Sequence, residues 1–457
     1  MADTLATSID WAEHEQLFGW LSVYDDIFLA VSGGVDSCAL MHLAAQWRAR
    51  TRWSGALHVL CVDHGLRPEA ADEARQVVAQ ARGLSLPAHV LTWEGCKPAS
   101  GIQEAARSAR YQLMLDHIRC VSADPARAVL VTAHHRDDLA ETLLMRLARG
   151  AGVDGLSAMQ RLTCRDGIAL ARPLLGVTKA RLRDAMVAAG ARWREDPSNA
   201  DPAFERVQLR SARQARVSLR LDDDKLALTA RRMQRARVAL ERMADDWLVR
   251  HLDQPLLGRC GVFTWPWPIG EVPDEVAVRA LMRLLPGIGG SGGPLRLLRV
   301  ERLWDDMQHD GFAGATLGNC VVTGAIAGSM YIYREPRRAV LPVAALEPGR
   351  ALIWDNRFEI KVPRTFSGRL QARPLVRADL RVADPSLALL QRECPMDALW
   401  ATPVIADQSD ILAIPALNVH RPASGAPLVV PVSCRFLVER LGCGGIERPG
   451  RSDCATD

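Results

Sequence analysis

Six residues, Ser32-Gly33-Gly34-Val35-Asp36-Ser37, stand directly behind the apolar run Ile27–Val31 and have the types needed to hold a phosphate. Adjacent glycines admit positive φ and let the backbone approach an anion with no Cβ in the way. The helix pattern that follows starts at Val35, so its first N–H groups and its positive end face the same anion. Ser32 and Ser37 add hydroxyl donors, and Asp36 is a hard oxygen ligand for Mg²⁺ on phosphate oxygens. No lysine closes the run, which excludes the GxxxxGK[ST] loop of kinase-like NTPases.

Three further clusters carry chemistry. Val62-Asp63-His64-Gly65-Leu66-Arg67 ends a second apolar run. It reads either as the border of an adenine or ribose or as an ordinary turn. Ala133-His134-His135-Arg136-Asp137-Asp138-Leu139-Ala140-Glu141-Thr142 places His134 at a strand end. Asp138 and Glu141, three apart, project from one face of the helix behind it. Two carboxylates so placed suit a metal, a general base or an ammonium group. Adjacent histidines point to different sides, so the His-His-x-x-Asp spacing is not read as a structural zinc site. Glu104-Ala105-Ala106-Arg107-Ser108-Ala109-Arg110-Tyr111 supplies an arginine able to clamp a substrate carboxylate through two N–H groups.

These clusters need a scaffold that brings them together. Strands are expected at Ile27–Ser32, Leu57–Asp63, Ala88–Trp93 and Ala128–His134, with helices at Val35–Arg50, Glu69–Arg82 and Gly101–Cys120 between them. Such alternation implies a parallel sheet covered on both faces. Ligands bind at the carboxyl ends of its strands, where Ser32, Asp63, His64, His134 and His135 all fall. A fifth strand at Ile168–Leu175 and a helix from Thr178 to Ala189 are expected next, then the turn-rich Trp193–Asn199. Arg206–Arg242 reads as helix dense in arginine, and Pro286–Pro294 as a flexible linker. Beyond Arg334 the pattern turns to short strands such as Ala351–Ile360 and Pro403–Pro415, and the polar tail from Gly444 is expected to be disordered.

Bulk properties narrow the class. A chain of 457 residues exceeds one ordinary core, so two or three domains are expected. Net charge is only +4, so a nucleic-acid surface must come from local clustering, chiefly of arginine. The 11 cysteines form no CxxC pair and no Cys/His metal spacing, which suits reduced thiols in a cytoplasmic protein. Neither a signal-peptide pattern nor an apolar run long enough for a membrane span is present.

The strings SGGVDS, VDHGLRPEA, EAARSARY, AHHRDDLAET, RGAGVDGLSAM, RPLL and W-x-x-DPSN occur in this order over residues 27–200. The first resembles the pyrophosphate loop of the N-type ATP pyrophosphatases (the PP-loop superfamily), and the set resembles the tRNA(Ile)-lysidine synthetase family within it. The resemblance implies an α/β fold: an N-terminal doubly wound parallel sheet of Rossmann-like type, a helical middle domain and a smaller α+β C-terminal domain. The implied division is a catalytic domain over 1–215, a middle domain over 216–335, a C-terminal domain over 336–443 with a possible part in tRNA recognition, and a tail over 444–457. It implies an ATP-dependent ligase forming a C–N bond. The wobble cytidine of tRNA-Ile with a CAU anticodon is adenylated at its C2 oxygen, and the ε-amine of L-lysine then attacks C2, giving lysidine, AMP and pyrophosphate.

Carried over by residue, Ser32, Gly33, Gly34, Val35, Asp36 and Ser37 would bind ATP, with Asp36 on Mg²⁺ and Asp63, His64 and His134 at the nucleotide's border. Arg110, Asp138 and Glu141 would bind lysine and, with Asp36, form the catalytic set. His134 and His135 would border the α-phosphate, and Gly150, Gly152 and Gly155 would form the loop after that helix, near the tRNA or the bound nucleotide. Arg206 and Arg210 would meet tRNA. They stand in Arg206-Val207-Gln208-Leu209-Arg210, where the family's usual Arg-Asn-x-x-Arg lacks its asparagine, and the C-terminal region lacks the family's basic, lysine-containing stretch. Three rivals are weighed. A tRNA cytidine thiolase usually shows a CxxC pair, an amidating ligase needs a glutaminase cysteine, and a non-catalytic adenine-nucleotide module would not need Arg110, Asp138 and Glu141.

Overall fold

The computed structural model describes residues 9–65, 70–95, 97–98, 100–194, 205–290, 295–336, 340–364, 369–382, 394–407, 410–417, 419–420 and 433–436. Leu66 and Arg67, the Glu195–Asn199 part of the turn-rich segment and the expected tail lie outside these residues. Contacts divide the chain into two units, with the boundary between Arg237 and Val238.

The first unit is built on strands β1 (Asp26–Ala30), β2 (Ala56–Asp63), β3 (Ala88–Thr92), β4 (Ala128–Val131), β5 (Leu162–Arg165) and β6 (Ile168–Ala171). Their order is β3-β2-β1-β4-β6-β5. Five are mutually parallel, and β5 pairs antiparallel with β6 at the edge. Ile27, Phe28 and Leu29 of β1 and all four residues of β4 are buried, the continuous apolar run of a strand covered on both faces. Helices α1 (Trp11–Phe18), α2 (Val35–Arg50) and α3 (Ala70–Gly83) share one core with β1 and β2, while α4 (Ile102–Val121) packs Tyr111, Met114, Leu115 and Ile118 against Phe28, Leu60 and Leu130 on the other face. The sheet is therefore doubly wound. Strand order reverses between β1 and β4, and ligands of such sheets bind at that reversal.

Helix α5 (Arg136–Ala148) follows β4, the single turn α6 (Val153–Leu156) follows α5, and α7 (Lys179–Ala188) follows β6. The arginine-rich stretch forms α8 (Glu205–Ser211), α9 (Arg213–Ser218) and the thirty-residue α10 (Asp223–Leu252). Leu226, Ala227 and Ala230 of α10 pack on Leu139, Ala140 and Leu143 of α5, so α10 braces the helix carrying the acidic pair.

Two expected elements change. The strand expected at Ile168–Leu175 stops at Ala171, because Pro173 opens a 3₁₀ turn to Gly176. The glycines expected to be a linker continue a helix that spans Asp274–Gly289. Leu281, Leu284, Leu285 and Ile288 are fully buried there, and a Cβ at Gly289 would lie 2.0 Å from the Gly318 carbonyl oxygen. Close packing, not mobility, selects glycine at 289. Residues 291–294 lie outside the described set.

In the second unit a four-stranded antiparallel sheet lies within the stretch expected to be helical, formed by Phe263–Pro266, Ser329–Arg334, Cys320–Thr323 and Gly314–Leu317 in that order. A five-stranded and a three-stranded sheet follow. One core joins Trp247, Trp265 and Trp304 with Trp354, Phe358 and Phe436 across the expected boundary at 335/336.

Near the amino ends of β1–β3, His58, His89 and His117 come from two strands and α4. His58 stacks on Phe28 with ring centroids 4.7 Å apart, and the His89 and His117 rings are 4.6 Å apart. Nδ1 of His58 and Nε2 of His89 and His117 are buried with no hydrogen-bond partner among the described residues. Among the described residues no group of three ligating side chains has metal geometry. Burial holds His58 and His117 below the ordinary imidazole value. Because the unfolded chain takes protons that the folded one resists, stability is full above the unfolded pKa near 6.5 and falls as pH drops through it. His58→Gln is expected to shrink the fall in Tm between pH 7.5 and 5.5; an unchanged fall would assign it to other groups.

Candidate active site

The loop after β1 has the geometry of an anion cradle. Gly33 sits at φ +89°, and a Cβ there would meet only Val77 Cγ2 at 3.5 Å, so conformation rather than space demands glycine. Gly34 caps α2 without a side-chain hydrogen bond, and nothing lies within 4 Å of where its Cβ would be. The first-turn N–H groups of α2 thus keep the orientation an anion uses. Inside the loop, Ser37 Oγ accepts from the Ser32 amide at 3.1 Å and donates to the Gly34 carbonyl at 3.0 Å. The Arg194 amide donates to the Gly33 carbonyl at 3.0 Å and pins the outside.

Three helix N-termini meet beside this loop: those of α2, α5 and α7. His135 is the N-cap of α5, its ring 1% exposed, and three carboxylates surround it. Nε2 lies 3.5 Å from Asp36 Oδ2 and 3.4 Å from Asp138 Oδ2, and Nδ1 lies 3.5 Å from Asp137 Oδ2. Burial alone would hold His135 neutral; Asp137, Asp36 and Asp138 outweigh it and push the ring up to about 10. A protonated Nδ1 donates to Asp137, so the 3.4 Å contact with the Asp138 amide is packing rather than an accepted hydrogen bond. Asp138 Oδ2 in turn accepts from the His135 amide at 3.1 Å, which is one half of a capping box.

Asp36 has two unlike oxygens. Oδ2 faces His135 and, at 3.4 Å, Nζ of Lys179, whereas Oδ1 is buried with no hydrogen-bond partner among the described residues. Burial works against the Asp36 charge, but His135 and Lys179 prevail and hold its carboxyl below the ordinary range. Asp137 accepts from the Lys179 amide at 2.9 Å and is held well below that range despite its burial. Lys179 is one of four lysines in the chain. Its place at the head of α7, behind the capping Thr178, was the only sequence signal for it.

The acidic pair forms as expected on α5. Asp138 and Glu141 are buried, at 9% and 3% exposure. Arg210 lies on them: Nε donates to Glu141 Oε1 at 2.6 Å, Nη2 to Oε2 at 3.1 Å, and Nη2 is 3.7 Å from Asp138 Oδ1. Burial raises the Glu141 pKa, and Arg210 opposes that. Arg110 points elsewhere. Its Nε and Nη2 lie 3.2 and 3.0 Å from Nε2 of His64, at the end of β2. Burial and Arg110 together hold His64 down at about 4, which leaves its neutral Nε2 to accept. Asp63 Oδ1 turns the chain by accepting from the Gly65 amide at 2.8 Å.

His134 is held down at about 4 by burial, with Arg172, Arg107 and Arg206 adding to it against Asp138. Sequence reasoning named His134 and Arg206 but missed Arg107 and Arg172, which stand one turn from Arg110 and on the strand-end loop after β6 respectively. Gly150 ends α5 at φ +69° and Gly152 caps α6, with Gly155 inside that turn; Arg146 holds the segment by donating to the Gly155 and Ala158 carbonyls at 2.9 and 2.8 Å.

Comparison with known proteins places the whole chain. A family model described as a PP-loop domain matches residues 10–214. A tRNA(Ile)-lysidine synthase of Bradyrhizobium sp. strain BTAi1 is 43% identical over 70% of this chain and 89% of its own length. One from Bradyrhizobium diazoefficiens is 40% identical over 76% and 97%, and one from Ruegeria pomeroyi is 37% identical over 85% and 87%. Likeness of this extent, over a chain that places a phosphate loop, a buried acidic pair and an arginine set at one strand-order reversal, makes the chain a member of the tRNA(Ile)-lysidine synthase family.

Proposed function

We propose that the chain joins L-lysine to the wobble cytidine of tRNA-Ile with a CAU anticodon at the expense of ATP. The cytidine C2 oxygen attacks the α-phosphorus, the bond to the bridging oxygen breaks, and pyrophosphate leaves. The lysine ε-amine then attacks C2, and the C2–O bond breaks to release AMP. Membership of the family supports ATP use and C–N ligation. The observation that carries the amino-acid half is the buried Asp138–Glu141 pair within reach of one cation, at the edge that also holds the phosphate loop.

In this reading Ser32 to Ser37 bind the ATP phosphates and Asp63, His64 and His134 border the nucleotide. The orphaned Oδ1 of Asp36 fits a Mg²⁺ ion, which when bound draws charge from the phosphate oxygens. Lys179 stands beside the same carboxylate as a second cation for phosphate. Asp138 and Glu141 take the ammonium groups of lysine, and a carboxylate there accepts the ε-ammonium proton so that a free amine attacks. Arg110 takes the lysine carboxylate, with His64 as its resting partner. Arg206 and Arg210 meet RNA phosphates. Catalysis belongs to residues 1–215, and the part over 336–443 takes a share in recognising the tRNA. The reading places the work in the cytoplasm; no described helix is long and apolar enough to cross a membrane.

The test is incorporation of radiolabelled lysine into a tRNA-Ile(CAU) transcript with ATP and Mg²⁺, with pyrophosphate followed in the same samples. Equimolar lysine incorporation and pyrophosphate release is expected. RNA-dependent pyrophosphate release with no lysine uptake would mean another nucleophile.

A further inference from the structure

The acidic pair assigned above to lysine holds a guanidinium in this structure. Glu141 is almost fully buried, with a side chain 4% exposed, and such a carboxylate is costly without a cation. Arg210 meets that need with both Glu141 oxygens and approaches Asp138, while its own side chain stays 35% exposed. It comes from α8, not from α5 or the sheet, and Arg206 stands one turn before it on the same helix. A substrate ammonium and the Arg210 guanidinium therefore want the same oxygens.

We propose that Arg210 is a latch on the amino-acid site, opened by RNA phosphate. The proposal rests on the reading of Asp138 and Glu141 as the lysine site. Without RNA, lysine must displace a charge-assisted, two-bond contact and leave Arg210 without an anion. With RNA bound, a phosphate takes the guanidinium, the ammonium takes the carboxylates, and each cation has exchanged one anion for another. Lysine binding is thereby made conditional on the acceptor RNA, and the amine is kept from the nucleotide until a cytidine is there to be modified. The arginine does no chemistry on the reacting atoms; it changes the fraction of molecules whose site is open.

Equilibrium dialysis of radiolabelled lysine against the full chain tests this, with no RNA and then with saturating tRNA-Ile(CAU) transcript. Arg210→Gln without RNA is expected to bind lysine roughly tenfold tighter than the unaltered chain, since it removes the competing cation. The transcript is expected to tighten lysine binding by a similar factor in the unaltered chain and to have little effect in Arg210→Gln. Arg210→Lys, whose single ammonium cannot hold both Glu141 oxygens as a fork does, is expected to fall between. Equal lysine affinity of Arg210→Gln and the unaltered chain without RNA, with binding lost in Glu141→Gln, overturns the latch and leaves the lysine site standing. Undiminished binding in Glu141→Gln overturns the site and the latch together.

Discussion

Asp36→Ala is expected to lower ATP–pyrophosphate exchange by about 10³-fold, on the scale of losing one preorganised charge at a transferring phosphate. The substitution removes the buried Oδ1 that lacks a partner among the described residues, and with it the oxygen proposed above for Mg²⁺. It also leaves His135 and Lys179 turned toward an empty corner, so two cations lose an anion at once. The loop itself should survive, since its closure runs through Ser32, Ser37 and the Gly34 carbonyl and not through Asp36. Exchange measured beside thermal unfolding separates the two effects. A correctly melting variant that retains exchange within about tenfold would remove Asp36 from the phosphate chemistry.

The second large effect is expected from Asp138→Asn. The amide keeps an oxygen for the His135 N–H, so the cap of α5 persists, but the charge facing His135 and Arg210 is gone. Loss of one charged partner at a buried site costs about 3 kcal/mol, which is about 10²-fold in kcat/KM for lysine. RNA-dependent pyrophosphate release should fall far less, because the phosphate loop keeps all its own groups. If lysine incorporation and pyrophosphate release fall in equal measure, Asp138 serves the nucleotide half and the assignment is wrong.

What the sequence made legible was the part of the molecule with strong local signals. Ile27–Val31 and Ala128–Val131 are continuous apolar runs, and glycines or charged turns punctuate them, so β1, β4 and α2 fall where expected. Four-residue strands such as Leu162–Arg165 and Phe263–Pro266 are too short to show a period; the first exists as one arm of a hairpin with Ile168–Ala171, and the second pairs with Ser329–Ile332, distant in sequence. The site divides the same way. Ser32 to Ser37 and the Asp138–Glu141 pair were readable because each lies within one turn or loop. That Arg110 would hold His64, 46 residues away, and Arg210 would hold Glu141, 69 residues away, depends on how α4 and α8 pack. No local pattern encodes it.

His135 ties together more than a helix start. Its one ring touches Asp36, proposed above for phosphate, at 3.5 Å and Asp138, proposed for the amino acid, at 3.4 Å, through the same nitrogen. Any ligand that alters the charge at Asp36 alters the share of His135 left for Asp138, and thermodynamic reciprocity requires the converse to the same degree. On the proposed assignment the two substrate halves are coupled across a single imidazole, with no shift of backbone required. An enzyme so built titrates its substrates against each other: saturation by one sets the apparent affinity for the other, and a double-mutant cycle on Asp36 and Asp138 would return a non-zero coupling energy that vanishes when His135 is replaced.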